Sequence, residues 1–169
     1  GRVLFRAFEI LADRRTHENA EGRAALVSAL AVAAGGRGMV GGQMLDLAAQ
    51  DMNLDIGGIT RLQRLKTGAM IAFSCEAGAI LGRASAEPRD ALRGYAHDLG
   101  LSFQIADDLL DVEGTMEETG KAVGKDAGAG KATFVSIMGV DRARAQARLL
   151  AGQAVEHLAR FDGSADLLR

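Results

Sequence analysis

The chain has 169 residues, 48% of them hydrophobic and 25% charged, with a formal net charge of −2. Nucleic acid finds no electrostatic foothold in that balance, and 4% aromatics without tryptophan leave little for single strands to stack on. The single Cys75 cannot close an intrachain disulfide, and no run is read as reaching the ~18 apolar residues of a membrane span, so a soluble, cytoplasmic protein is expected.

Alanine and leucine dominate, β-branched runs are short, and proline occurs once, at Pro88. Helix is therefore favoured nearly everywhere. A first helix is expected over about 2–13, with Leu4, Phe8 and Leu11 on one side, and a second over about 20–36. The second passes into "GGRGMVGGQMLDL", where Met39, Val40, Met44, Leu45 and Leu47 predict a helix whose glycines permit close approach. A third helix covers about 56–83, "ASAEPRD" is a turn, and Pro88 suits the first turn of a helix over about 88–113. A Gly- and Lys-rich connection follows at 114–131, then a short helix in "ATFVSIMGV". The last helix is expected to start with Asp141 as its N-cap and to bury Ala143, Ala147, Leu150, Ala154, Leu158 and Phe161. With no linker, internal repeat or low-complexity tract, residues 1–169 read as one all-α domain or the larger part of one. The chain starts inside a helix without methionine and ends without a stop signal, so a fragment is expected.

The stretch "FQIADDLLDVEG" carries the first chemistry. In a helix, Gln104, Asp107, Asp108 and Asp111 fall at i, i+3, i+4 and i+7, the spacing that normally carries an apolar stripe. Here Leu99, Phe103, Ile105, Ala106, Leu109, Leu110 and Val112 cover most of the remaining surface, so one polar face is expected to line a cavity. Three like charges on a mostly buried helix repel and lose hydration. A divalent cation resolves this, and Mg²⁺ prefers carboxylate and phosphate oxygens. A solvated acidic turn is the bland alternative.

Lys121, Lys125 and Lys131 follow closely, separated by Gly120, Gly124, Gly128 and Gly130. Ammonium groups on flexible backbone beside a carboxylate–metal site suit a polyanion. The pattern is not a P-loop, since Lys125 and Ala132 stand where that motif needs glycine and Ser/Thr. Lys66 and Thr67 head a long apolar stretch. On the residues alone Lys66 reads as a snorkelling side chain, Gln43 and Asp46 as structural hydrogen-bonders, and Cys75 as a small core residue. His17, His97 and His157 have no partners at metal-ligand spacing.

In combination, "GMVGGQMLDL", "LKTGAMIAFSCEAGAILG", "LGLSFQIADDLLDVEG" and "TGKAVGKDAGAGKATF" resemble successive blocks of the trans-isoprenyl diphosphate synthases, with the bacterial farnesyl diphosphate synthase type nearest. The resemblance covers nearly the whole chain in order. It implies a helical bundle around a deep central cavity, incomplete here as the C-terminal two-thirds of the family domain, and usually a homodimer. It implies that Asp107, Asp108 and Asp111 form the second aspartate-rich motif and bind Mg²⁺. Lys66, Lys121 and Lys125 would contact the diphosphate of an allylic substrate, with Lys131 assigned to the same substrate region. Thr67, Gln104 and Gln43 would line the reaction centre, and Phe103 would sit near isopentenyl diphosphate.

The chain departs from the family pattern as well. The first aspartate-rich motif with its arginine pair and the upstream Gly-Lys-Arg segment are not among these residues, the C-terminal helix is cut short, and Thr115 stands where many relatives carry aspartate. As a complete chain it would be expected to lack catalysis. With the missing part it would condense an allylic diphosphate with isopentenyl diphosphate and release pyrophosphate, the resemblance favouring a C15 product. Two further readings stand beside this one. A terpene cyclase would want aromatic faces to steady its cations, and the chain has six Phe, one Tyr and no Trp. A non-catalytic subunit of a heteromeric prenyl synthase would have no need of the intact acidic triad and lysines.

Overall fold

The computed structural model describes residues 1–49, 54–114 and 132–169. Among the described residues every regular element is helical. Helix α1 spans Arg2–Ala12, α2 Ala20–Ala34 and α3 Met39–Ala48. Helix α4 (Ile56–Gln63) runs through a π-helical turn at Arg64–Gly68 into α5 (Ala69–Leu81). The longest, α6, spans Ala86–Glu113. A short α7 (Phe134–Met138) and α8 (Val140–His157) follow, and a 3₁₀ turn at Gly163–Leu168 closes the chain.

Local polar chemistry fixes where these helices begin. Asn19 Oδ1 accepts the Glu21 amide at 2.9 Å, and Asp55 Oδ1 accepts the Gly58 amide at 2.7 Å. Thr133 and Ser136 cap α7 reciprocally, the Ser136 amide donating to Thr133 Oγ1 at 3.1 Å and the Thr133 amide to Ser136 Oγ at 2.8 Å. Caps of this kind stabilise a helix by about 1 kcal/mol each. Pro88 does lie in the first turn of α6, where a missing N–H costs nothing.

Three expected boundaries move. Helix α2 ends at Ala34 rather than 36, followed by a turn over 35–38. Asp141 is not the cap of α8: Gly139 is, at φ 82°, a left-handed value that glycine adopts without strain. Asp141 sits in the first turn instead, where its charge meets the positive end of the helix dipole. The single helix expected over 56–83 is two helices joined by the π turn and ends at Leu81.

Helices α2, α5, α6 and α8 pack in that order, each against the next, with α6 against α8 the most extensive contact. One core cluster joins Ile105 and Leu109 of α6 to Ala143 and Leu150 of α8, Ile59 of α4, and Phe134 and Val135 of α7. A second joins Tyr95 to Ala154 and Leu158, with Phe161 packed beside it. The apolar face expected of the last helix is thus the buried one. Polar ties support the packing: Ser102 Oγ donates to the Ala147 carbonyl at 2.9 Å and Tyr95 Oη to the Leu168 carbonyl at 3.0 Å.

Two expectations about apolar surface are corrected. The stretch Ala20–Ala48 is long and apolar enough to cross a membrane by length and composition, contrary to the sequence reading. Small residues raise its hydropathy without forming one apolar run. The stretch packs against α5, breaks at a turn over 35–38 and carries an ion-paired aspartate near its end, with 28% of its apolar window buried. On α6, Phe103, Leu110 and Val112 are at least half exposed rather than buried, because no described element packs over that side. Val40, Met44 and Leu47 on α3 are similarly open.

The α2 side chain of Leu30 is 1% exposed, so Leu30→Ala should lose its transfer energy and leave a cavity, at a cost of about 3 kcal/mol. Urea denaturation of the full-length protein checks this, with the midpoint falling at unchanged slope.

Candidate active site

Helix α6 carries the acidic face. Gln104, Asp108 and Asp111 are 8%, 5% and 8% exposed, and Asp107 is half-buried. The polar stripe expected from the sequence is folded inward beside the buried Ile105 and Leu109, while Phe103, Leu110 and Val112 on the same helix stay outside. Burial of a carboxylate demands a partner. Asp108 has one of known kind, its Oδ2 accepting the Phe134 amide at 2.9 Å. That bond satisfies an amide at the start of α7 and ties α7 to α6.

The three aspartates do not converge equally. Asp107 and Asp111, one turn apart, share a helical side, whereas Asp108 is rotated from Asp107 by one residue, about 100°, toward α7. Among the described residues no three His, Cys, Asp or Glu side chains are already gathered around one point. The donor set still fits a hard divalent cation, which takes carboxylate oxygens in flexible numbers and keeps waters.

Lys66 and Thr67 lie on the π turn, where one extra residue per turn re-aims side chains relative to a regular helix. The turn is locked from two sides. A Cβ added at Gly42 of α3 would lie 2.3 Å from the Lys66 backbone nitrogen and 2.5 Å from its Cα, so α3 can touch the turn only because residue 42 is glycine. On the other side, a Cβ at Gly100 of α6 would reach within 3.5 Å of the Gly68 Cα. Gln104 is one helical turn beyond Gly100, so the π turn and the polar face of α6 are neighbours.

Asp46, on α3, pairs with Lys66 across this contact, Lys66 Nζ to Asp46 Oδ2 being 2.6 Å. Asp46 is 8% exposed. The sequence reading treated Asp46 as a structural hydrogen-bonder and missed this pair. A signal was present: Asp46 follows Gly42 by four residues, so a helix that needs glycine at one point presents the aspartate to the same neighbour one turn later.

The other expected residues fare differently. Gln43, expected to line the reaction centre, is exposed, and Phe103, expected near isopentenyl diphosphate, is 55% exposed. Lys121, Lys125, Lys131 and Thr115 lie outside the described residues. Burial pushes the Cys75 thiol up from its ordinary pKa, and the side chain packs against the cluster around Tyr95, as the core role expected of it requires. A concavity of about 290 Å³ between the π turn and α6 is lined by Arg64, Gly68, Ala72, Arg93 and His97. It contains no carboxylate and none of the expected residues, so it is not a metal site.

The family model described as polyprenyl synthetase matches residues 2–162. The chain belongs to the polyprenyl synthetase family. Relatives bear this out along its length. It is 42% identical over 139 residues to the chloroplastic geranylgeranyl pyrophosphate synthase 11 of Arabidopsis thaliana, covering 80% of this chain and 39% of that one. It is similar to the structure of an FPP/GFPP synthase from Zymomonas mobilis, with a TM-score of 0.84, 48% identity, and coverage of 96% of this chain and 54% of that one. It is also similar to a Helicobacter pylori geranyltransferase complexed with magnesium and isoprenyl diphosphate, with a TM-score of 0.82, 28% identity, and coverage of 95% and 52%. The chain thus spans about half, or less, of these polyprenyl synthetase relatives. The all-helical fold expected from the sequence is the fold of these structures.

Two substitutions probe the local geometry. Asp108→Ala should cost about 1–3 kcal/mol, because the buried Phe134 amide loses its acceptor, whereas Asp108→Asn, which keeps an acceptor oxygen, should cost less than half of that. Chemical denaturation of the two variants in parallel checks the ordering; equal costs would show that the Phe134 bond is not what Asp108 contributes.

Proposed function

We propose that the full-length protein is a prenyltransferase that condenses an allylic diphosphate with isopentenyl diphosphate and releases pyrophosphate. The observation that carries this reading is the juxtaposition of a lysine-bearing π turn with the carboxylate face of α6, joined at Gly68 and Gly100. A lysine-bearing turn packed against a helix that carries a set of carboxylates suits a multiply charged anion bridged through a cation. Family membership supports the same reaction class, and magnesium with isoprenyl diphosphate in the Helicobacter pylori relative supports Mg²⁺ as the cation.

In this reading Asp107, Asp108 and Asp111 hold Mg²⁺, and when bound it supplies the positive charge that makes a diphosphate a good leaving group. The Lys66 ammonium donates to diphosphate oxygens from the opposite side, and Gln104 and Thr67 offer neutral hydrogen-bonding groups between the two. The allylic C–O bond breaks, the electron pair leaves with pyrophosphate, and the isopentenyl double bond forms the new C–C bond. A proton lost from the isopentenyl part regenerates a double bond, with the departing pyrophosphate as its acceptor. No protein nucleophile is required. The chain's own contribution is orientation and charge placement on the leaving group.

Lys121, Lys125 and Lys131 complete the reading as further diphosphate and substrate contacts on their sequence position alone. Gln43 and Phe103, both exposed, belong to the reading as contacts for the second substrate on the family resemblance alone. A homodimer belongs to the reading too, supported by the apolar Val3, Phe5 and Ile10 that α1 leaves exposed. The relatives are named for different products, a geranylgeranyl diphosphate and a farnesyl or geranylfarnesyl diphosphate, so the assignment is to the reaction and not to one product length.

Asp107→Ala in the full-length protein should slow Mg²⁺-dependent pyrophosphate release by about 10²–10³-fold, equivalent to ~3–4 kcal/mol of transition-state stabilisation. A coupled pyrophosphate assay measures it, and a loss smaller than about tenfold would remove Asp107 from the assigned role.

A further inference from the structure

We propose that Asp46 is a positioning residue for Lys66: held on α3, its carboxylate fixes the direction in which the lysine ammonium meets a diphosphate. This rests on the assignment of Lys66 to the diphosphate and extends it to a residue that touches no substrate itself.

The geometry is unusually complete for a lysine. One face of α3 grips Lys66 at both ends: Gly42 lies against its backbone, and Asp46, one turn on, holds its Nζ at 2.6 Å. The two residues of the pair are twenty apart in sequence and sit on different elements, so the bond spans a tertiary contact and not a single helix. Asp46's side chain is 10% exposed and Lys66's is 31%. This places the pair well apart from the chain's more exposed ion pairs, such as Arg83 with Glu18 at 65% and 87%. A lysine stem is flexible and its ammonium is a point charge without built-in direction. A fixed carboxylate on one N–H removes that freedom and leaves two donors for other oxygens.

The arrangement has a cost that argues for purpose. A carboxylate beside an anion site repels the anion it helps to bind, so for ground-state affinity alone a neutral partner would serve as well or better. Directed charge matters most where charge develops, on the oxygen that takes the electron pair as the C–O bond breaks. The signature of a positioning role is therefore a fall in turnover without a loss of substrate affinity. A merely structural ion pair would give neither.

The test uses the full-length protein, with kcat and the KM for the allylic diphosphate read from pyrophosphate release and the unfolding midpoint read by calorimetry. Asp46→Asn keeps the shape and an acceptor oxygen but removes the charge. It should lower kcat by about ten- to a hundredfold, with KM held within about threefold or improved. The midpoint should stay within about 2 °C of wild type. Added to Lys66→Met, the same substitution should cost almost nothing further, because its effect acts through that ammonium. Asp46→Glu, which restores the charge at a longer reach, should lie between wild type and Asp46→Asn. It carries the test by itself if Asp46→Asn does not fold.

The proposal is overturned if Asp46→Asn turns over within about threefold of wild type while Lys66→Met is crippled. It is equally overturned if Asp46→Asn costs the same factor with and without Lys66, since Asp46 would then act through another group. Full turnover by Lys66→Met is a different failure: it removes Lys66 from the diphosphate and with it the reading beneath this one.

Discussion

The structure is organised around the cost of keeping carboxylates inside an apolar helical bundle. Asp108 and Asp111 on α6 and Asp46 on α3 are each at least nine-tenths buried, and a buried charge is tolerated only where something of opposite polarity meets it. Two of the solutions are visible and different in kind. Asp108 takes a backbone amide from the start of α7, converting a liability into a tie between elements. Asp46 takes the ammonium of Lys66, converting it into a held cation. Neither arrangement is the cheapest way to build a core. A leucine at either position would bury more readily, and buried ion pairs are often no more stabilising than apolar replacements of similar volume. The two elements that carry them both pack against the π turn, α3 from one side and α6 from the other.

The π turn is the mechanical link between those two charges. A regular helix continuing from Ile56 would carry residue 66 around to a different side, and the extra residue in the turn corrects this. The turn is held from α3 at Gly42, where only the absence of a side chain lets the backbones come close, and is met from α6 at Gly100 in ordinary van der Waals contact. Glycine thus does two opposite things in this chain. In the turns it supplies conformations other residues avoid, as at Gly139; in α3 and α6 it sits in regular helix, at some cost in helical propensity, so that the helix can be a contact surface. The second use concentrates where the site is assembled.

How much of this was legible beforehand follows from what periodicity can encode. Helical content, the buried face of α8 and the inward polar stripe of α6 are one-dimensional patterns of residue type at fixed spacing, and they were readable as such. The π turn was not, because a single inserted residue leaves the 3.6-residue period of the helices on either side of it unchanged. Asp46 and Lys66 were both visible as residues, but the spacing of Gly42 and Asp46 marks only a shared contact face, and twenty residues and a change of element hide Lys66 as what it meets. The exposure of Phe103, Leu110 and Val112 was misjudged for a related reason: an apolar residue on a helix marks a face that suits burial, and whether another element covers it is a tertiary fact. The block resemblance to a family placed the lysine and aspartates in one site, which spacing alone did not.

The pairing of Lys66 with Asp46 bears on why such a site would use a lysine that is partly neutralised at all. A free ammonium binds a diphosphate strongly in the ground state, and equal stabilisation of ground and transition states does nothing for turnover. Offsetting part of the lysine's charge with a fixed carboxylate lowers its pull on the resting substrate. The remaining donors keep their direction, so what they give is greatest when the leaving oxygen has gained its full charge. The cost of ordering a long side chain is also met during folding rather than at each encounter with substrate. On the proposed reading, the ion pair joining α3 to the π turn is less a brace of the fold than a means of fixing a cation's direction before substrate arrives.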